Sequence, residues 1–248
     1  MTSIVLSKRL KKIAEYCPAG SRVADIGSDH ALLTSYLLAS GLAAFVIAGE
    51  LNEGPYQAAR EQVAKLTAAD RASVRKGDGL AVLAPGEVNA VCIAGMGGQL
   101  ISSILESGKA KLPGVQRLIL QPNVGEEAVR RWLLDNRWQL IAEDILEEDG
   151  VIYEILVAEP GDPLAPYREK ARSLEELLRL GPWLWEEKSP ILRQKWERER
   201  EKLKAILAQL AKSRRPETKE RYEQVVKELD WIEEVIRCLQ TGKPSFNT

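Results

Sequence analysis

Five stretches of this 248-residue chain carry residue types that can do chemistry: Asp25-Ile26-Gly27-Ser28-Asp29-His30, Glu50, Gly77-Asp78-Gly79, Ala94-Gly95-Met96-Gly97-Gly98 and Gln121-Pro122-Asn123. The first begins like a phosphate-binding turn and then departs from it. A G-x-G-x-x-G turn uses glycines so that bare backbone N–H groups can approach a pyrophosphate. Here Ser28, Asp29 and His30 take those places, and the carboxylates of Asp25 and Asp29 would repel a pyrophosphate and attract a cation. Glu50 can accept from both hydroxyls of a vicinal diol. Asp78 can accept from an exocyclic amine, with Gly77 and Gly79 leaving room for a flat ring, and Gly27 lets the backbone approach a ligand. A ligand with a ribose diol, an adenine amine, a sulfonium, an ammonium and no phosphate meets all of these requirements, and S-adenosylmethionine is that ligand.

Each of these residues also has a purely structural role open to it. Gly27 can form a simple turn, Asp29 can cap a helix that begins near His30, and His30 can be a hydrogen-bonding residue. The glycines from Gly95 to Gly98 can serve close strand-to-helix packing. The weight of the pattern lies in its recurrence at successive strand ends, in order.

The elements that must position these residues alternate. Short apolar runs (SRVADIG, AAFVIAGEL, ASVRKGDGL, NAVCIAGMGG, VQRLILQPN) are separated by helical patterns (HALLTSYLLASG, GPYQAAREQVAKL, QLISSILESG, EEAVRRWLLDN). That succession predicts βαβ units and a parallel sheet, whose ligand lies outside the carboxyl ends of the strands. The run WQLIAEDILEEDGVIYEILVAEP predicts two further strands, antiparallel and joined around EEDG. An antiparallel pair at the end of a parallel sheet points to a class I methyltransferase fold rather than a dinucleotide dehydrogenase. Ahead of the sheet, LSKRLKKIAEY predicts a helix with Leu6, Leu10 and Ile13 on one stripe and Lys8, Arg9, Lys11 and Lys12 around the rest.

At AEPGDPLAPY the βα pattern stops. Leu192, Trp196, Leu203, Ile206 and Leu210 step by fours and threes, interrupted at Glu199. Tyr222, Val225, Leu229, Ile232, Ile236 and Leu239 do so without interruption. Two adjacent heptad-patterned helices predict an antiparallel coiled-coil arm about 30–35 Å long. The expected organisation is therefore an α/β Rossmann-like methyltransferase domain over residues 1–160 and an all-α coiled-coil domain over 161–248. The short connection between the two helices favours pairing within one chain, hence a monomer.

Net charge is −1, but it is uneven: residues 1–159 hold 16 Lys+Arg against 20 Asp+Glu, and residues 160–248 hold 19 against 16. A polyanion must then be recognised by local patches. Cys17, Cys92 and Cys238 are odd in number and far apart, and His30 is the single histidine. Neither a disulfide framework nor a His-rich metal centre is expected. With no run of about eighteen apolar residues and no apolar leader, a cytoplasmic protein without membrane contact is expected.

Taken together, LSKRLKKIA, ADIGSDHALL, AGELNEGPYQAA, GDGLAVL, IAGMGGQLI, LILQPN, VRRWL and EEDGVIYEI resemble the bacterial tRNA (adenine-22-N1)-methyltransferase family, TrmK. The resemblance covers residues 4 to about 160 densely and the helical remainder as an architecture. It implies transfer of a methyl group from S-adenosylmethionine to N1 of an adenine in the D-arm region of tRNA. It places the cofactor pocket on Asp25, Gly27, Ser28, His30, Glu50, Asp78, Gly79, Ala94 and Met96, and the catalytic acid on Asp29. Gly95 joins that pocket from the strand-end pattern, and Arg9 is a candidate for the cofactor's carboxylate. Adenine N1 is already a lone-pair nucleophile, so its attack needs no base, but the product ring is cationic and a carboxylate would stabilise the growing charge. N1 lies on the Watson–Crick edge, so the base must be taken out of its surroundings.

Candidate substrate contacts are Lys8 on the first helix, Gln121 and Asn123 at the end of the fifth strand, and Lys212, Arg214 and Arg215 at the tip of the arm. A turn role is equally open to Gln121 and Asn123, and a solvated helix face to most of the arm's cations. Two rival functions share the motifs: a methyltransferase acting on another RNA, protein or small molecule, and a non-catalytic RNA-binding protein of the same fold. A nicotinamide dehydrogenase is disfavoured because G-x-G-x-x-G is absent.

Overall fold

The computed structural model describes residues 4–212 and 216–241. Seven strands form one sheet: β1 (Ser21–Ile26), β2 (Ala43–Glu50), β3 (Ala72–Lys76), β4 (Ala90–Gly97), β5 (Arg117–Val124), β6 (Trp138–Glu148) and β7 (Val151–Pro160), in the order β3-β2-β1-β4-β5-β7-β6. The pairs from β3 through β5 are parallel, while β7 runs antiparallel to both β5 and β6. The expected antiparallel closing pair is therefore present.

Burial on both faces explains the strands' continuous apolar runs. Ala24, Ile26, Ile47, Val91, Ile93, Leu118 and Leu120 face one core with Ile101 and Leu105 of α4 (Gly98–Ser107) and Val129 and Leu133 of α5 (Glu126–Asp135). Val23, Val46, Cys92, Ile119, Ile155 and Val157 face the other, with Ile13 of α1 (Lys8–Tyr16) and Leu33, Leu37 and Leu38 of α2 (Leu32–Ala39). The remaining helix of this layer, α3 (Glu53–Ala64), buries Ala59 and Val63.

The chain divides into two compact units, residues 1–183 and 184–248. Residues 161–183, grouped with the helical half on sequence grounds, make their described contacts within the first unit. Ser173 and Glu176 form a capping box at the start of α6 (Leu174–Leu180), satisfying two orphan N–H groups reciprocally. The Leu178 and Arg179 carbonyls accept from Arg130 of α5, and Trp183 Nε1 donates 2.9 Å to the Leu140 carbonyl of β6. Arg130 is fully buried between Glu143 and Glu154. Gly181, at φ +83°, sits where a Cβ would lie 2.7 Å from the Arg130 guanidinium.

A short helix, α7 (Pro182–Glu187), leads to α8 (Pro190–Leu210) and α9 (Pro216–Thr241). Ser189 caps α8, with Pro190 in its first turn, where the missing N–H costs little. The indole of Trp196 stands edge-on to Trp231, with ring centroids 5.2 Å apart. These residues are equally far in sequence from the connection, so α8 and α9 form an antiparallel hairpin. The expected seam holds at Leu192, Trp196, Val225, Ile232, Ile236 and Leu239, which are buried, but Ile206 and Tyr222 are exposed at 37% and 39%. Val235, absent from the heptad pattern, is buried. Burial weakens toward the connection among the described residues of α8 and α9.

Candidate active site at the carboxyl ends of the strands

Strand order reverses between β1 and β4, and Asp25, Glu50, Met96 and Gln121 lie near the carboxyl ends of the strands around that switch point. Asp25 lies near the end of β1, 5% exposed. Its Oδ2 accepts from the Thr34 backbone N–H at 3.2 Å and from Thr34 Oγ1 at 2.7 Å. Asp25, rather than Asp29, thus serves an orphan N–H in the first turn of α2, and Ala31 stands at the cap position with no side-chain bond. Burial pushes the Asp25 carboxyl up to about 6; the Thr34 bonds pull against that shift and Glu50 adds to it.

The turn after β1 is strained. Gly27 has φ +70°, and Asp29, His30 and Ala31 follow at +34°, +62° and +53°, a left-handed run that non-glycine residues rarely adopt. Glu50 holds this turn: its Oε1 accepts from Ser28 Oγ at 2.8 Å and from the Asp29 N–H at 2.6 Å. The Glu50 side chain is buried, and its second oxygen has no hydrogen-bond partner among the described residues. Asp29 and His30 project outward, 87% and 66% exposed, with Asp29 Oδ1 3.6 Å from His30 Nε2.

The glycines do something other than leave room for a ring. A Cβ at Gly27 would lie 2.2 Å from Met96 Cε, one at Gly77 2.8 Å from Val82, and one at Gly79 2.8 Å from Ile104. Side chains of this chain fill those spaces, so the glycines permit close internal packing. Asp78 itself is exposed, and Ala94 and Met96 are half-buried.

On the β4–β5 side the ladder slips between Ala94 and Met96, and Gly95 bulges out at φ +77°. Its N–H donates to Gln121 Oε1 at 3.0 Å, and its carbonyl accepts from Asn123 Nδ2 at 2.8 Å. Arg9 Nη1 also donates to Gln121 Oε1, at 2.5 Å, and the guanidinium lies 5.2 Å from the centre of the Tyr153 ring. Gln121, expected at the substrate, is fully buried and its amide is engaged within the protein. Asn123 and Lys8 are exposed. Lys212 is exposed near the end of α8, whereas Arg214 and Arg215 lie outside the described residues.

Among the described residues neither Asp25 nor Glu50 is ion-paired to a Lys or Arg, and no group of three or more His, Cys, Asp or Glu residues could hold a metal ion. The donor set fits S-adenosylmethionine: unneutralised carboxylates for its cations, an open carboxylate oxygen for its diol, and a guanidinium beside the Gly95 loop for its carboxylate.

A family model described as TrmK: tRNA (adenine(22)-N(1))-methyltransferase matches residues 23–234. The chain belongs to the TrmK family. The tRNA (adenine(22)-N(1))-methyltransferase of Bacillus subtilis strain 168 is 45% identical over 237 residues, 95% of this chain and 99% of that protein. The crystal structure of B. subtilis TrmK matches at a TM-score of 0.87, over 94% of this chain and 100% of that one. Streptococcus pneumoniae Sp1610, solved in complex with S-adenosyl-L-methionine, matches at 0.81 and 41% identity over 94% and 100%.

For a TrmK family member the motifs were visible in the sequence; the contacts between them were not. Thr34, which donates to Asp25, lies just past ADIGSDHALL, and Tyr153, against the Arg9 guanidinium, lies within EEDGVIYEI, a run that gives no sign of that contact. Glu148, which accepts from the Lys8 N–H at 2.5 Å and from the Arg9 N–H at 3.4 Å, is 140 residues from its partner. An acid at a helix N-terminus is the physical signal, but it is visible only once β6 has brought Glu148 there.

Proposed function

We propose that this protein transfers a methyl group from S-adenosylmethionine to N1 of adenine 22 in the D-arm region of tRNA. The observation that carries this is the Glu50 bracket: a buried carboxylate with one oxygen locking the strained Ser28–Asp29 turn, the other open, and no cation to neutralise it. Bound S-adenosylmethionine would supply a methyl group activated on a sulfonium. Glu50 accepts from the ribose hydroxyls, Asp78 from the cofactor's adenine amine, and Arg9 receives the carboxylate. Asp25, with Gly27, Ser28, His30, Gly79, Ala94, Gly95 and Met96, completes the walls. Asp29 stands at the mouth. It accepts from the N6 amine of the target adenine, aligns N1, and stabilises the positive charge that spreads into the ring as N1 takes the methyl. Burial raises Asp25 only to about 6, so at neutral pH it is mostly ionised and favours the cofactor's cations.

The remaining residues serve RNA. Lys8, one residue from Arg9, and Asn123, beside the Gly95 loop, are the contacts to tRNA near the target base in this reading. Lys212, with Arg214 and Arg215, contacts phosphates from the helical hairpin. The sheet domain binds the cofactor, the α8–α9 pair serves as a coiled-coil arm for tRNA, and the protein works as a cytoplasmic monomer.

The test is methyl transfer from labelled S-adenosylmethionine to unmodified tRNA carrying adenine at position 22, beside the same tRNA with guanine there. Primer extension that stalls at adenine 22 alone supports the reading. Cofactor binding without transfer to either tRNA overturns it and assigns the fold another substrate.

A further inference from the structure

Gln121 bonds Arg9 and the Gly95 loop with one end of its amide and Pro122 and Asn123 with the other, from a fully buried position. Its oxygen accepts from Arg9 Nη1 at 2.5 Å and from the Gly95 N–H at 3.0 Å. Its nitrogen donates to the Pro122 carbonyl at 2.9 Å and to Asn123 Oδ1 at 3.2 Å. Chemistry fixes this orientation: a guanidinium and a backbone N–H can only donate, and a carbonyl can only accept, so the reversed amide would face donor with donor and acceptor with acceptor. All four hydrogen-bonding sites of the amide are filled, the condition under which a buried polar group rigidifies its surroundings.

The arrangement has a mechanical consequence. The β4–β5 ladder breaks between Ala94 and Met96, so the sheet itself does not hold Gly95. Gln121 and Asn123 hold both of its main-chain groups instead. The next residue, Met96, lies against Gly27, where a Cβ would come within 2.2 Å of Met96 Cε. Fixing Gly95 therefore sets the floor of the cofactor cleft. The same oxygen aims Arg9 beside that loop, 3.7 Å from where a Gly95 Cβ would lie. The nitrogen half orders Pro122 and the exposed Asn123, beside Val124, whose side chain is 68% exposed at the strand end.

We infer that Gln121 is a positioning residue shared by the two halves of the reaction: its oxygen orders the cofactor side through Arg9 and Gly95, and its nitrogen orders the side that receives the target adenine through Pro122 and Asn123. The inference rests on the function proposed above and adds a residue that ties the two substrates' sites together. A buried amide serves both ends because it offers two acceptor sites and two N–H donors on one short, uncharged planar group.

Two substitutions in the full chain separate the halves. Gln121→Glu keeps an acceptor for Arg9 and Gly95 but loses the donors to Pro122 and Asn123. Gln121→Met keeps the approximate volume and loses both. The measurements are S-adenosylmethionine Kd by calorimetry, kcat and KM with adenine-22 tRNA, and thermal unfolding. Gln121→Glu keeps the acceptor but adds a charge beside Arg9 and frees Asn123, so it should raise the cofactor Kd by less than tenfold while lowering kcat/KM for tRNA by a clearly larger factor. Gln121→Met should raise the cofactor Kd at least tenfold as well. A merely structural residue would lower Tm and move both substrates' parameters together, and that result with Gln121→Glu overturns the inference even if Gln121→Met fails to fold. Wild-type protein that binds cofactor but leaves adenine 22 unmethylated overturns the proposed function and the tRNA half of this inference with it. Wild-type activity with unsplit variants overturns the inference alone.

Discussion

Two groups of buried charge lie in the same unit and are built on opposite principles. Around Arg130, the guanidinium donates to Glu143 at 2.6 Å, to Glu154 and to two main-chain carbonyls, while Glu143 Oε2 accepts from the Trp183 N–H at 3.0 Å. Burial works against the charged guanidinium, and Glu143 and Glu154 outweigh it, holding Arg130 protonated. At the strand ends, Asp25 and Glu50 are buried almost as deeply, at 5% and 7% exposed, yet their partners are neutral hydroxyls and N–H groups. The first cluster completes itself and ties α5, β6, β7 and the turn at Gly181 together. The second leaves negative charge unneutralised, a cost a folded protein sustains where a ligand will supply the opposite charge. What distinguishes the carboxylates around Arg130 from Asp25 and Glu50 is the identity of the partner, since depth of burial is nearly the same.

Breaking each cluster should therefore give opposite signatures. The largest effect is expected at Arg130: Arg130→Met strands two buried carboxylates and should cost about 3–5 kcal/mol or more in urea unfolding. Adding Glu143→Gln and Glu154→Gln should recover part of that loss. An Arg130→Met protein of near wild-type stability would show that the cluster is not structural.

At the cleft, Asp29→Asn should leave Tm and cofactor Kd nearly unchanged, because the side chain is 87% exposed and Asn tolerates the left-handed backbone. It should lower kcat by about a hundredfold, the scale of losing one electrostatic stabiliser. Full turnover would remove Asp29 from the chemistry. Glu50→Gln retains an acceptor for Ser28 and Asp29 but loses the charge. It should weaken S-adenosylmethionine by about 10–100-fold, the scale of a charge-assisted hydrogen bond, with little change in the stability of the ligand-free protein. Unchanged cofactor affinity would contradict the Glu50 assignment.

Asp25 sharpens the comparison through pH. Its folded pKa is raised from 3.8 to about 6, so the folded state holds its proton more tightly than the unfolded chain. Stability from this group is therefore greatest below pH 4 and falls as pH rises through 6. Asp25→Asn should stabilise the ligand-free protein at pH 7 by roughly 3 kcal/mol, with the gain vanishing below pH 4, and should weaken cofactor binding. A pH-independent difference in unfolding free energy would refute it. The smallest effect belongs to the hairpin: Lys212→Glu should weaken tRNA binding a few-fold and reduce its salt slope by about one, leaving cofactor affinity alone. Unaltered tRNA affinity would remove Lys212 from the RNA contact.

The sequence showed which strand ends carry acids, because continuous apolar runs end abruptly at Asp25, Glu50 and the Gly95 loop. It did not show where α2 begins. No glycine marks the left-handed run from Asp29 to Ala31, which survives because Glu50 of β2 bonds Ser28 and the Asp29 N–H at its start and Asp25 of β1 bonds Thr34 just beyond its end. The heptad pattern on α8 and α9 includes buried residues such as Leu192, Trp196 and Ile232, but it omitted the buried Val235 and overstated burial at Ile206 and Tyr222. Periodicity reports which face is apolar, while burial depends on what lies against it. The room expected at Gly77 and Gly79 is taken by Val82 and Ile104, residues whose proximity no local pattern records.

Local chemistry is what the sequence determined by itself: alternating strands and helices, the closing antiparallel pair, and carboxylates where a pyrophosphate would need bare backbone. These follow from periodicities of two and 3.6 residues and from the sign of a charge, both properties of a few neighbouring residues. The tertiary structure decided which carboxylates find a cation and which do not. Arg130 meets Glu143 and Glu154, Glu50 meets only N–H and hydroxyl groups, and Gln121 meets Arg9 from 112 residues away. Partnership between distant charges depends on the packing of the whole sheet, and no stretch of sequence contains it.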